Sequence, residues 1–142
     1  MPAVSLGALT ALRDLGREPV GSMEAMRRVA AEQARLLRKL LPGPAHEVPA
    51  HIPQLFPRIT VETVAHLPAP GITYWANGSW HIHVCESDSN EEQAFTVLHQ
   101  MKHIIDHPIR QAATGFSASD WDALARHFAI IALGHESEAA SP

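Results

Sequence analysis

The chain has 142 residues, 46% of them hydrophobic and 18% charged, with a formal charge of −4 when its histidines are neutral. That is one domain's worth of chain, too apolar for disorder and too acidic for an obvious nucleic-acid binder, with no run near the ~18 apolar residues of a membrane span. A single cysteine, Cys85, excludes an internal disulfide and points to a reducing compartment, the cytoplasm.

Met1 to Leu15 carries Arg13 and Asp14 and no basic leader, so no signal peptide is expected. Leu6, Leu9, Leu12 and Leu15 recur every third residue, predicting a first helix stopped at Gly16. Ser22 is placed to cap a second helix, which Pro42-Gly43-Pro44 ends. Met26, Val29, Ala30, Leu37, Leu40 and Leu41 give that helix an apolar stripe, and Arg27, Arg28, Arg35, Arg38 and Lys39 lie largely off it as a solvated face. The stretch Pro44 to Pro57, with four prolines and two histidines, reads as loop.

Ile59 to Val64 alternates β-branched and polar residues and predicts a strand. A hairpin comes next: Gly71 to Ala76, the turn Asn77-Gly78, then Ser79 to Cys85. Asn-Gly supplies the two positive-φ positions of a type I′ turn, which explains Asn77-Gly78-Ser79 better than a glycosylation sequon does. Ser89 and Glu92 form a capping box opening a third helix, expected to end near Asp106 because Pro108 follows. Ser119 is the expected cap of a last helix carrying Trp121, Leu124, Ala125, Phe128 and Ile131, closed by Gly134 and followed by a frayed tail. The expected architecture is α+β: a small three-stranded antiparallel sheet packed with about four helices, in one domain over 1–142. Its helical N-terminal part spans 1–44 and its core 58–134.

His99 and His103 are four apart on the third helix, so both imidazoles lie on one face and can reach a single cation. Zinc accepts such nitrogens and needs at least one further protein ligand. Spacing alone is weak evidence among ten histidines; His103 and His107 make a second such pair. Context adds weight, because the pair sits mid-helix beside an apolar face, directly after a hairpin.

The segment Ala94-Phe95-Thr96-Val97-Leu98-His99-Gln100-Met101-Lys102-His103-Ile104-Ile105-Asp106 resembles the signature helix of the ImmA/IrrE zinc metallopeptidases, a Phe-Thr-x-x-His-Glu-x-x-His pattern. The resemblance covers about Ile59 to Ala129, roughly half the chain, and includes the preceding hairpin. It implies a minimal zincin-like core, Zn2+ as cofactor, and a helix-turn-helix repressor as protein substrate. By the same resemblance a third ligand comes from the next helix, where Asp122-Ala123-Leu124-Ala125-Arg126-His127-Phe128-Ala129 matches with Asp in place of Glu. An alternative use of Asp122 is as the capping-box carboxylate of Ser119, three residues earlier. After Ala129 the sequence departs from the family pattern, with Ile130-Ile131-Ala132-Leu133-Gly134.

The sharpest departure is Gln100, at the position of the catalytic glutamate. That glutamate takes a proton from the metal-bound water, and a glutamine amide cannot. Loss of a general base costs about 10²–10⁴ in rate, whereas metal binding survives because this residue is not a ligand. Gln100 is either an engineered inactivation or a natural mark of a pseudo-enzyme that binds a protein without cutting it. Glu92, upstream on the same helix, points the wrong way to stand in.

Other candidates surround this core. His81, His83 and Cys85 share one side of a strand and could line a substrate cleft, with Trp80, Ile82 and Val84 on the core side. Tyr74 and His127 are candidate oxyanion donors. Asp106 is a candidate to orient an imidazole from behind, and His107 a helix C-terminal cation. A third reading dispenses with metal altogether and makes the basic helix at 22–41 the contact surface of an interaction domain.

Overall fold

The structure, a computed structural model, describes residues 2–17, 21–113 and 115–135, with side chains from residue 7 onward. The Leu6 side chain and the tail beyond His135 lie outside the described residues. Among them are five α-helices and three strands: α1 (Pro2–Asp14), α2 (Met23–Leu40), α3 (Val48–Leu55), β1 (Ile59–Val64), β2 (Gly71–Ala76), β3 (Ser79–Cys85), α4 (Asn90–Arg110) and α5 (Ala118–Ala132), with a 3₁₀ turn at Ala45–Glu47 before α3. The α+β class is as expected, with one helix more. No helix among the described residues is long and apolar enough to cross a membrane.

The sheet is mixed rather than antiparallel. Its order is β1-β3-β2, with β2 antiparallel and β1 parallel to β3. The hairpin is local: Asn77 and Gly78 take φ of 54° and 77°, as a type I′ turn demands. The chain between β1 and β2 instead crosses to the far edge of the sheet, so β3 fills the gap and pairs Ile59 with Trp80 through Val64 with Cys85.

The expected loop at Pro44–Pro57 is largely helical. Pro49 sits in the first turn of α3, where a missing N–H costs nothing. Val48, Ile52 and Phe56, four apart, are buried and draw the segment onto α4 and β1. Pro53 inside α3 is tolerated by this packing.

The expected end of α4 at Asp106 is also wrong. The helix runs on through Pro108 to Arg110. Pro108 has no N–H for the carbonyl of Ile104, and Arg13 of α1 supplies the donor instead, Nη2 to Ile104 O at 2.7 Å and Nε to Ile105 O at 3.3 Å.

Ile82 and Val84 of β3, Val97, Leu98, Met101, Ile104 and Ile105 of α4, and Phe128 and Ala129 of α5 form one core that Ala30, Ala34 and Leu37 of α2 complete. Inside it lies a polar cluster. Lys102 Nζ reaches Asp106 Oδ1 and, at 2.7 Å, Gln33 Oε1, while Gln33 Nε2 donates to Leu12 O. Lys102 and Asp106 are 1% and 0% exposed, and Asp106 Oδ2 has no partner. Burial pulls the Lys102 ammonium below its ordinary range and pushes the Asp106 carboxyl above its own, each opposed by the charge of the other.

Candidate metal centre

Two capped helices build the centre. Ser89 and Glu92 close the predicted capping box at the start of α4: Glu92 backbone N–H donates to Ser89 Oγ, and Ser89 N–H to Glu92 Oε1. Those bonds, backbone first, hold the Glu92 carboxyl below its ordinary range and give it a structural use. The cap of α5 is Ser117, not Ser119. Asp120 is its capping-box carboxylate, and α5 therefore starts at Ala118. This shift releases Asp122 from its alternative duty.

Asp122 turns to α4 instead. Its Oδ1 lies 2.8 Å from His99 Nε2 and 3.8 Å from His103 Nε2, and the imidazole centroids are 5.3 Å apart. One ligand atom from each residue falls within 4.8 Å of the other two, and the three side chains are half-buried. Donors at about 2.0–2.1 Å from a tetrahedral zinc stand roughly 3.3 Å from one another. The two distances to Asp122 bracket that edge, so this group could hold a metal ion. A tetrahedral ion would have a fourth position open.

The electrostatics favour the ligand forms of His103 and Asp122. His103 is held below the ordinary imidazole range by desolvation first and by the neighbouring His99 second, so it stays neutral with a lone pair to give. Desolvation alone would raise Asp122; the hydrogen bond from His99 and nearby positive charge, Arg126 included, outweigh it and hold the carboxyl below its ordinary range.

Gln100 is next to His99 on α4 and is anchored to β2, with Thr73 Oγ1 donating to its Oε1 at 2.6 Å. β2 comes this close because Gly71 has no side chain: a Cβ there would strike Thr96 Cγ2 and stand 3.3 Å from Gln100 Nε2. Phe95 packs edge-on to His99, 6.0 Å between centroids, and walls the other side.

The remaining candidates lie elsewhere. Alternation along β3 puts Ile82 and Val84 against α4, so His81 and His83 occupy the opposite face of the sheet, as does Tyr74, which pairs with His81. There Tyr74 stacks on His81 at 5.0 Å. Its hydroxyl lies 3.3 Å from His83 Nε2, which also faces Glu62 Oε2 at 3.2 Å. The structure brings neither the two cleft histidines nor the Tyr74 oxyanion candidate to the metal group. His127 turns toward α2, with Nδ1 3.4 Å from Arg27 Nη2, because five residues from Asp122 rotate it off the ligand face. Asp106 does not orient an imidazole: its carboxylate is taken by Lys102 in the core. His107 is exposed and lies edge-on to Trp80, 5.1 Å between centroids.

Sequence reasoning misses Thr73, Gly71 and Arg13 as contributors to this region. Gly71 opening the hairpin strand is the available sign of a close backbone approach. No family model, no curated protein and no solved structure matches this chain.

Proposed function

We propose that this chain is a zinc-binding protein built like a minimal ImmA/IrrE-type metallopeptidase, and that with glutamine at position 100 it captures a polypeptide at the metal without hydrolysing it. The observation that carries this reading is the convergence of His99 and His103 with Asp122 of the following helix, beside a half-buried Gln100. When bound, the ion would act as a Lewis acid toward a carbonyl oxygen or a water in its open position.

The rest of the chemistry belongs to the chain's own residues. His99, His103 and Asp122 would supply two imidazole nitrogens and one carboxylate oxygen. Gln100 lies where a proton acceptor would be needed, and its amide is not basic. Thr73 already donates to Oε1, which is the bond a carboxylate at the same position would accept, so the strand is suited to orient either residue. A helix-turn-helix repressor in the cytoplasm is the partner class that the sequence resemblance implies.

The test has two steps. Metal analysis of the purified protein should find zinc near one equivalent, lost in His99→Ala; substoichiometric metal would remove the proposal. Gln100→Glu should then gain peptidase activity by about 10²–10⁴ over the parent on a partner that the parent binds. Absence of cleavage by Gln100→Glu would confine the scaffold to binding.

A further inference from the structure

Along α4, one turn beyond His103, the molecule opens into a groove of about 770 Å³ lined by Arg13, Thr73, Trp75, Trp80, His107 and Pro108 among others. Three of these form a continuous aromatic wall: Trp75 lies edge-on to Trp80 at 5.4 Å, and Trp80 edge-on to His107 at 5.1 Å. Trp75 is 52% exposed, the most exposed large hydrophobic side chain among the described residues. An indole left this open on a strand is the kind of anchor that interfaces use. No acidic side chain lines the groove, and Arg13, which donates to the Ile104 and Ile105 carbonyls and feels the buried Asp106 behind it, brings a positive charge to it.

The backbone says how a ligand would lie. β2 is an edge strand. In a two-residue type I′ hairpin the pair flanking the turn, Ala76 and Ser79, exchanges hydrogen bonds, and bonded pairs alternate from there. Thr73 and Trp75 therefore belong to the non-bonded pairs, and their N–H and C=O groups point outward from the free edge. Their side chains are the ones that face α4. Thr73 touches Gln100 beside the metal group; Trp75, two residues on, reaches about 6.6–6.8 Å further.

The geometry points to a specificity pocket: the groove takes a bulky apolar or aromatic side chain of an extended polypeptide, two residues from the one lying at the metal, with an acidic group next to it facing Arg13. This rests on the reading of the centre as a polypeptide-binding metal site. Binding to the free edge adds main-chain hydrogen bonds without selecting sequence, and the aromatic wall supplies the selection.

The probe is a fluorescein-labelled peptide, blocked at both ends, Glu-Phe-Ala-Ala-Phe-Glu, in which each of the two central alanines has a Phe two residues away. Its counterpart has both Phe replaced by Ala. Anisotropy titration of the zinc-loaded chain should show the Phe peptide binding about tenfold or more tightly. Trp75→Ala, a change at a half-exposed side chain, should abolish that preference while zinc content stays the same. Equal affinities, no binding of either peptide, or a preference that survives Trp75→Ala would overturn the pocket. So would self-association of the parent chain that Trp75→Ala disrupts, since the wall would then be a contact between copies. Loss of the pocket with zinc retained leaves the metal centre standing; failure to bind zinc removes the centre itself.

Discussion

The Arg13 guanidinium caps the carbonyl of Ile104, the group that Pro108 leaves without its helical donor. A proline in the third-last position of α4 should have ended the helix. A side chain ninety-one residues away in sequence lets the helix continue, and α1 is pinned to α4 by the same bond. Because His107 and Pro108 lie on the continued turn, the groove beside Trp80 depends on this repair.

Arg13→Met should therefore destabilise the protein by about 1–3 kcal/mol, the penalty of leaving a part-buried carbonyl without a partner. Pro108→Ala restores the N–H and should lower the cost of Arg13→Met when the two are combined. Urea unfolding of the four variants measures the coupling. Strict additivity would mean that Arg13 acts through something other than the Ile104 carbonyl.

Lys102 and Asp106 give a second prediction. Both are fully buried, and burial moves each toward its neutral form. Removing one partner, as in Lys102→Met, leaves the other unpaired in the core and should cost about 3–5 kcal/mol. Lys102→Met combined with Asp106→Leu removes both desolvation penalties and should come back close to the parent. Gln33 Oε1 then loses its donor, so near-parity rather than a large gain is expected in the double variant. Denaturant midpoints decide the matter; a double variant as unstable as the sum of the singles contradicts it.

What the sequence could reveal tracks the range of the interaction. The turn at Asn77-Gly78, the cap at Ser22 and the box of Ser89 with Glu92 are written within four residues, and all three stand in the structure. Ser117-Ala118-Ser119-Asp120-Trp121-Asp122 holds two overlapping capping frames that are locally equivalent. The frame realised is the one that leaves Asp122 free for His99, a partner twenty-three residues away. The parallel pairing of β1 with β3 and the continuation of α4 past Pro108 likewise depend on partners distant in sequence, Trp80 for Ile59 and Arg13 for Ile104. α3 was hidden differently: its prolines masked the buried spacing of Val48, Ile52 and Phe56. The histidine pair itself was legible because four-residue spacing fixes a shared face whatever packs around it.

Asp122 and Ser117 separate ligation from capping. Asp122→Ala should weaken zinc affinity by about 100-fold or more, beyond the effect of losing an outer partner of a ligand. Ser117→Ala should cost about 1 kcal/mol of stability and leave affinity unchanged. Competition against a chromophoric chelator reads the affinity and thermal unfolding reads the stability. In the parent, zinc at 100 times its dissociation constant should add about 2.7 kcal/mol, reversed by a chelator. Affinity that falls equally in the two variants would place Asp122 outside the coordination set.

The metal-free chain should lose stability on acidification, and two histidines set the sign. Desolvation holds His103 below its ordinary 6.5, with His99 adding to it; desolvation holds His127 below 6.5 as well, with Arg27 and Arg35 adding to it. Each is thus harder to protonate in the folded chain than in the unfolded one. From pH about 6.5 downward the unfolded state binds more protons, so unfolding is favoured as pH falls and stability is level above that window. The melting temperature of the chelator-treated protein should fall between pH about 7 and 5, and His127→Gln should flatten part of that slope without touching His99, His103 or Asp122. A melting temperature that rises on acidification across this range would mean that these imidazoles gain, rather than lose, protonation on folding.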